Sequence, residues 1–280
     1  MERLRSDDAE IFYEVRGNGP TVVLLHPFPC DHEFWNPVAA ALESRYRLIL
    51  PDLRGHGESG AGQGPAHMAK HAGDVARMLD AEGIGRAAFV GCSIGGYVLF
   101  EFWRRFRERV SGLALCDTRP QADTAEGRSN RLRSAATVLE QGAEPFLETM
   151  IPKLMGRTTV STRPDLVDGA RAMMRKMAAE NISLVLRGMA ERPDSVADLK
   201  TINVPTLLVI GEEDVLSTVA DGELMRQNVA GSQLKVVPKA GHYAPWERAD
   251  AVGPILRQFL DEIWERHAGR DARHHTLIAD

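Results

Sequence analysis

VGCSIGGYVLF, residues 90–100, joins two backbone patterns that do not normally run together. Residues 87–90 (AAFV) are a short continuous apolar run, the mark of a strand buried on both faces. Residues 95–106 carry a helical pattern, so the strand turns into a helix at Ser93. Such an abrupt bend holds its central residue in a sparsely populated backbone conformation. It also crowds the positions two before and two after, where side chains would collide, and both of these, Gly91 and Gly95, are glycine. The match is to G-x-S-x-G, a turn that projects the serine hydroxyl from the carboxyl end of a sheet. The N–H of Ile94 then faces the same space at the helix N-terminus. Gly96 lets the helix pack close to its neighbours.

A serine hydroxyl is a poor nucleophile near neutral pH and needs a base, which in turn needs an orienting acid. On a strand–turn–helix of this kind the chain order is serine, then Asp or Glu, then histidine. Residues 206–210 (TLLVI) read as a strand followed by Glu212, Glu213 and Asp214, and residues 234–237 (LKVV) as the next strand, followed by His242. His242 is the only histidine between His71 and His267. His71 falls in a helical pattern and His267 in the C-terminal stretch, which leaves His242 as the base. Among the acids Asp214 is favoured, being the deepest in its loop, over Glu212, Glu213 and over Asp117, which follows the strand run 110–115. The developing oxyanion needs two N–H donors. Ile94 supplies one. The other is expected from 26–29 (HPFP), where Pro27 and Pro29 have no N–H and only Phe28 remains between them, held extended by the proline after it. His26 reads as a strand-end residue that hydrogen-bonds the loop.

Outward from this core, strand-like runs at 22–25, 46–50, 87–90, 110–115, 206–210 and 234–237 alternate with helical patterns at 37–43, 68–81, 95–106, 221–229 and 251–267. Apolar strands separated by helices imply a parallel sheet with right-handed crossovers. The expected class is α/β: a mostly parallel central sheet flanked by helices. The alternation stops between about 120 and 197, where only helical patterns occur, at 127–141, 145–155, 165–179 and 182–190. Residues 120–197 are therefore expected to form a helical cap over a core made of 1–119 and 198–280.

With 280 residues, 44% apolar, 26% charged and a net charge of −5, the chain has the composition of an ordinary globular protein. The acidic balance disfavours a nucleic-acid partner. No run of apolar residues is long enough to span a membrane, and the opening MERLRSDDAE has no apolar core, so the expectation is no signal peptide and a cytoplasmic location. Cys30, Cys92 and Cys116 have no C-x-x-C spacing, and no H-E-x-x-H occurs, so neither a disulfide framework nor a metal site is expected. Ser232-x-x-Lys235 leads into a strand pattern rather than opening a helix and is read as carrying no chemistry.

HPFP at 26–29, PDLRGHGES at 51–59, GCSIGG at 91–96, VIGEED at 209–214 and AGH at 240–242 together resemble the α/β-hydrolase superfamily, from about residue 10 to 260. Within it the chain looks most like bacterial esterases and lactonases grouped with 3-oxoadipate enol-lactonases. The resemblance implies the α/β-hydrolase fold, with the helical cap inserted after the sixth strand. It makes 52–59 a structural loop lining the site, with His56 no general base. Pro27 stands where many relatives have Gly. Ser93 in place of Asp argues against dehalogenase and epoxide-hydrolase relatives.

The expected function is a serine hydrolase of small or medium carboxylic esters or lactones, using Ser93, His242 and Asp214 with no cofactor. The expected partner is a small-molecule substrate, and a homodimer is left open. A C–C bond hydrolase, a perhydrolase, an amidase and a slow-turnover ligand-binding receptor are the alternatives. Pocket candidates are Trp246, bulky and close to the histidine, Met150 among the methionines of the cap, and Arg119, which with Arg157 and Arg187 could meet an anionic substrate.

Overall fold

The computed structural model describes the backbone of residues 1–276 and the side chains of 1–265. The side chains of His267, His274 and His275 lie outside that set. Eight strands form one sheet: β1 (Glu2–Ser6), β2 (Ala9–Arg16), β3 (Thr21–Leu25), β4 (Arg47–Pro51), β5 (Ala87–Cys92), β6 (Val110–Cys116), β7 (Thr206–Gly211) and β8 (Gln233–Val237). Their order is β1-β2-β4-β3-β5-β6-β7-β8. From β4 to β8 every pairing is parallel, while β1 and β2 run antiparallel at one edge.

Helices cover the sheet: α1 (Asn36–Leu42), α2 (Met68–Ala81), α3 (Ile94–Phe106), then α4 (Ala125–Gln141), α5 (Ala143–Leu154), α6 (Arg157–Thr162), α7 (Pro164–Met174) and α8 (Ala179–Ala190), followed by α9 (Val219–Asn228), α10 (Ala244–Glu247) and α11 (Ala249–Thr276). No helix among the described residues is long and apolar enough to cross a membrane. Helices α4 to α8 all fall between β6 and β7, so the interruption of the alternation corresponds to five consecutive helices.

The central strands are apolar along their whole length because both faces are covered. Val22, Val23, Leu24 and Leu25 of β3 and Ala87 to Val90 of β5 are wholly buried. Each large apolar side chain buried this way contributes about 1.5–3 kcal/mol, and β3 and β5 therefore hold their carboxyl ends firmly in place.

The hairpin β1–β2 was not anticipated. ERLRS and AEIFYEVR are studded with charges because β1 lies at the sheet edge with most of its residues exposed. The turn between them sets Asp7 at φ 49°. Helix α6 was also not anticipated: RTTVST has four β-branched residues and little helix propensity. Its first turn is held by carboxylates from the loop after β7 and from α10, described below.

Candidate active site

The carboxyl ends of β5, β7 and β8 come together on one side of the sheet. Ser93 follows β5 directly, at φ 53° and ψ −113°, a conformation L-residues rarely adopt. Close packing holds it there. A Cβ on Gly91 would lie 2.6 Å from the Gly95 carbonyl carbon, and one on Gly95 would lie 2.4 Å from the Leu25 carbonyl oxygen. The Ser93 N–H donates to the Cys116 carbonyl at 3.0 Å. Thr118 Oγ1 donates to the Ser93 carbonyl at 2.8 Å.

His242 lies in the loop after β8. Its Nε2 is 2.7 Å from Ser93 Oγ and its Nδ1 is 2.8 Å from Asp214 Oδ2. Asp214 follows β7, and its other oxygen accepts the N–H groups of Leu216 (2.7 Å) and Ser217 (3.0 Å). Both side chains are buried. With Nδ1–H donating to the carboxylate, Nε2 is left to accept from the serine hydroxyl. The other two acids of this loop point elsewhere: Glu212 is exposed and accepts from Lys239 N, and Glu213 turns toward α6.

Asp117 does not orient the histidine. Its Oδ1 accepts from Gly211 N at 2.7 Å and its Oδ2 from Ala244 N at 3.2 Å, so it ties the end of β7 to the start of α10. Burial, reinforced by the neighbouring Asp214 charge, pushes its carboxyl well above the usual range. Burial also raises the thiols of Cys92 and Cys116 well above the ordinary value, which makes them poor nucleophiles beside Ser93.

Ile94 is the first residue of α3, and its N–H has no partner within the helix. Phe28 lies in the loop after β3, and its carbonyl accepts from Tyr243 OH at 3.0 Å. The Phe28–Pro29 peptide is cis. Neither N–H is taken up by another protein group among the described residues. His26 Nε2 accepts from Leu53 N at 2.9 Å and its Nδ1 lies 2.9 Å from the Pro27 carbonyl, so it holds the β3 and β4 loops together. Burial lowers the pKa of His26 and His56 and keeps them neutral.

Of the pocket candidates, Trp246 reaches α7: its Nε1 donates to the Leu166 carbonyl at 3.0 Å, and a Cβ on Gly169 would meet its ring at 2.8 Å. Met150 is half-buried on the core, as α5 lies over the loop after β3, with the rings of Phe146 and Phe28 6.3 Å apart. Arg119 is turned to Asp123 at 3.5 Å, a carboxylate also held by Arg131 and Arg192. Arg157 and Arg187 are exposed. Asp31, His32 and Asp52 bring three donor atoms within 4.8 Å of one another. Their capacity is spent internally: His32 Nδ1 is 2.7 Å from Asp52, and Lys176 Nζ is 2.9 Å from Asp31.

The α/β-hydrolase fold family matches residues 20–249. The chain belongs to the α/β-hydrolase family. Among solved structures, this hydrolase is similar to a thermophilic esterase from Thermogutta terrifontis, solved with malate bound. The two are 36% identical over 94% of this chain and 99% of the other, with a TM-score of 0.91. It is 27% identical to an enol-lactonase from Burkholderia xenovorans over 93% of this chain and 100% of that one, with a TM-score of 0.86. Among curated relatives, 3-oxoadipate enol-lactonase 2 of Acinetobacter baylyi is 26% identical over 92% of this chain and 97% of its own length.

Proposed function

We propose that this hydrolase cleaves small or medium carboxylic esters or lactones through an acyl-enzyme on Ser93. His242 Nε2 takes the Ser93 proton as Oγ attacks the carbonyl carbon. The N–H groups of Ile94 and Phe28 hold the resulting oxyanion. His242 then gives the proton to the leaving alkoxide, which departs as alcohol from an ester or stays tethered to the acyl group from a lactone. A water that loses its proton to His242 attacks the acyl-enzyme, and the carboxylic acid leaves with Ser93 restored. Asp214 keeps the imidazole in the tautomer that presents Nε2 to the serine. Residues 120–197 act as a cap that shields this chemistry from solvent, and Met150 of the cap and Trp246 of the core bound the acyl pocket.

The observation that carries this reading is the continuous hydrogen-bond chain from Ser93 Oγ through His242 to Asp214, at 2.7 and 2.8 Å. The likeness to an esterase and to enol-lactonases supports the choice of esters and lactones among acyl substrates. We place this reaction, on a small-molecule substrate, in the cytoplasm. The test is release of p-nitrophenol from acetate, butyrate and octanoate esters by the protein and by Ser93→Ala. Turnover lost by several orders of magnitude in the variant supports the reading, and chain-length preference sizes the pocket. An unchanged rate in Ser93→Ala refutes it.

A further inference from the structure

Two carboxylates next to the candidate triad are spent on the helical segment rather than on the chemistry. Glu247 lies five residues after His242 and is almost wholly buried. Its Oε1 accepts from Gly241 N at 2.9 Å and from Tyr243 N at 3.3 Å, the residues on either side of His242. Its Oε2 accepts from Gly156 N at 2.8 Å, immediately before α6. Glu213, next to Asp214, makes the parallel contact: its Oε2 accepts from Thr158 N at 2.8 Å and its Oε1 from Thr158 Oγ1 at 2.5 Å.

The backbones themselves touch. A Cβ on Gly156 would lie 2.8 Å from Gly241 N and 3.1 Å from the Ala240 carbonyl carbon. A Cβ on Gly241 would lie 2.2 Å from Gly156 N. The first turn of α6 is thus seated on the two loops that bring the acid and the base to the serine. Its leading N–H groups, which no helix can satisfy internally, are taken up by residues 213 and 247.

We propose that Glu247 and Glu213 are positioning residues that clamp α6 to the His242 and Asp214 loops, so that the seating of the helical segment sets the alignment of His242 on Ser93. The proposal rests on the serine-hydrolase reading above. Its mechanical part is independent of that reading: a change at Gly156, far along the chain from His242, is transmitted to the histidine loop. Its chemical part follows because a misplacement of about 1 Å at a reacting group can cost about 100-fold in rate, and the histidine reacts without holding the substrate.

The test compares wild type with Glu247→Gln, Glu213→Gln and Gly156→Ala. Gly156 has φ −63°, so alanine is conformationally allowed there, and its methyl presses on the Glu213 carboxylate at 2.7 Å and on the histidine loop at Gly241 N at 2.8 Å. Amide hydrogen exchange over residues 240–244 is expected to accelerate in Glu247→Gln and in Gly156→Ala. For p-nitrophenyl butyrate, kcat per folded molecule is expected to fall about 10- to 100-fold, with KM within about threefold. A merely structural contact would lower the melting temperature and leave kcat per folded molecule unchanged. Unchanged exchange at 240–244 in both variants overturns the clamp, whether or not esters are turned over. Accelerated exchange with kcat per folded molecule within twofold overturns the positioning role. If Glu247→Gln does not fold, Gly156→Ala decides alone by the same two readouts. Wild type beside Ser93→Ala reports separately on the hydrolase reading.

Discussion

The carbonyl oxygen of Leu25 stands 2.4 Å from the place a Cβ on Gly95 would occupy. One close approach thereby couples the end of β3, from which the Phe28 loop departs, to the first turn of α3, which carries Ile94. Gly95→Ala must push these two elements apart. It is expected to cost about 1–3 kcal/mol through overpacking and to reduce ester turnover more than tenfold by spreading the two N–H donors. Urea unfolding with parallel kinetics checks it. Full activity in a stable Gly95→Ala protein would show that the spacing is not needed.

Asp214→Asn keeps the shape of the acid but removes the charge that holds the His242 tautomer. The expected result is a fall in kcat of about 10³–10⁴-fold with KM nearly unchanged. Glu212→Gln, at an exposed position pointing away from His242, is expected to leave kcat within twofold. Equal effects of the two substitutions would count against Asp214 as the orienting acid.

Arg54 is wholly buried and grips Asp74 with two nitrogens, Nε at 3.0 Å and an Nη at 2.7 Å, while Asp8 and the Ser6 carbonyl take its remaining donors. Burial presses the Asp74 carboxyl upward, against the pull of this guanidinium. Arg54→Met leaves the buried Asp74 carboxylate without its cation, held only by the Ser6 hydroxyl, and is expected to cost about 3–5 kcal/mol. Arg54→Met combined with Asp74→Leu is expected to recover most of that loss, because both charges are then gone. Denaturant melts of the two single variants and the double variant measure the coupling.

His71 is buried, and burial, helped by the charge of Arg54, lowers its pKa from an ordinary 6.5 to about 3. His26 and His67 add to the lowering, while the backbone of Ala66 opposes it. Between those two values the unfolded chain binds a proton that the folded one excludes. Stability therefore rises with pH across this window and is lost as pH falls from about 6.5 toward 3. At pH 5 the loss from this one group is on the order of 2 kcal/mol. His71→Leu should remove that part of the difference between urea midpoints at pH 7 and pH 5. An unchanged difference would show that His71 is not kept neutral by the fold.

Much of this arrangement is legible in the chain because it depends on backbone geometry that few residue types tolerate. Gly91, Ser93 and Gly95 announce a strand-to-helix bend, and the order of Asp214 and His242 after apolar runs places them at neighbouring strand ends. Roles set by contacts across the fold were not legible. Nothing in the sequence singles out Glu247, and only the approach of Gly156 to Gly241 shows why it is buried. Trp246 beside the histidine suggests a pocket wall, yet its indole N–H is committed to the Leu166 carbonyl on α7. Arg54, inside PDLRGHGES, gives no sign of its pairing with Asp74, which is 20 residues away. The β1–β2 hairpin escaped notice because β1 is an exposed edge strand with no apolar run, and the buried run of β2, Ile11 to Tyr13, is short and flanked by charges.

The most direct test is mass spectrometry of the intact protein after exposure to a fluorophosphonate, followed by peptide mapping. If Ser93 is the activated nucleophile, one phosphonyl group is added per chain, on Ser93, and Ser93→Ala takes up none. A protein that stays unmodified, or one labelled equally well in the Ser93→Ala variant, would contradict the assignment.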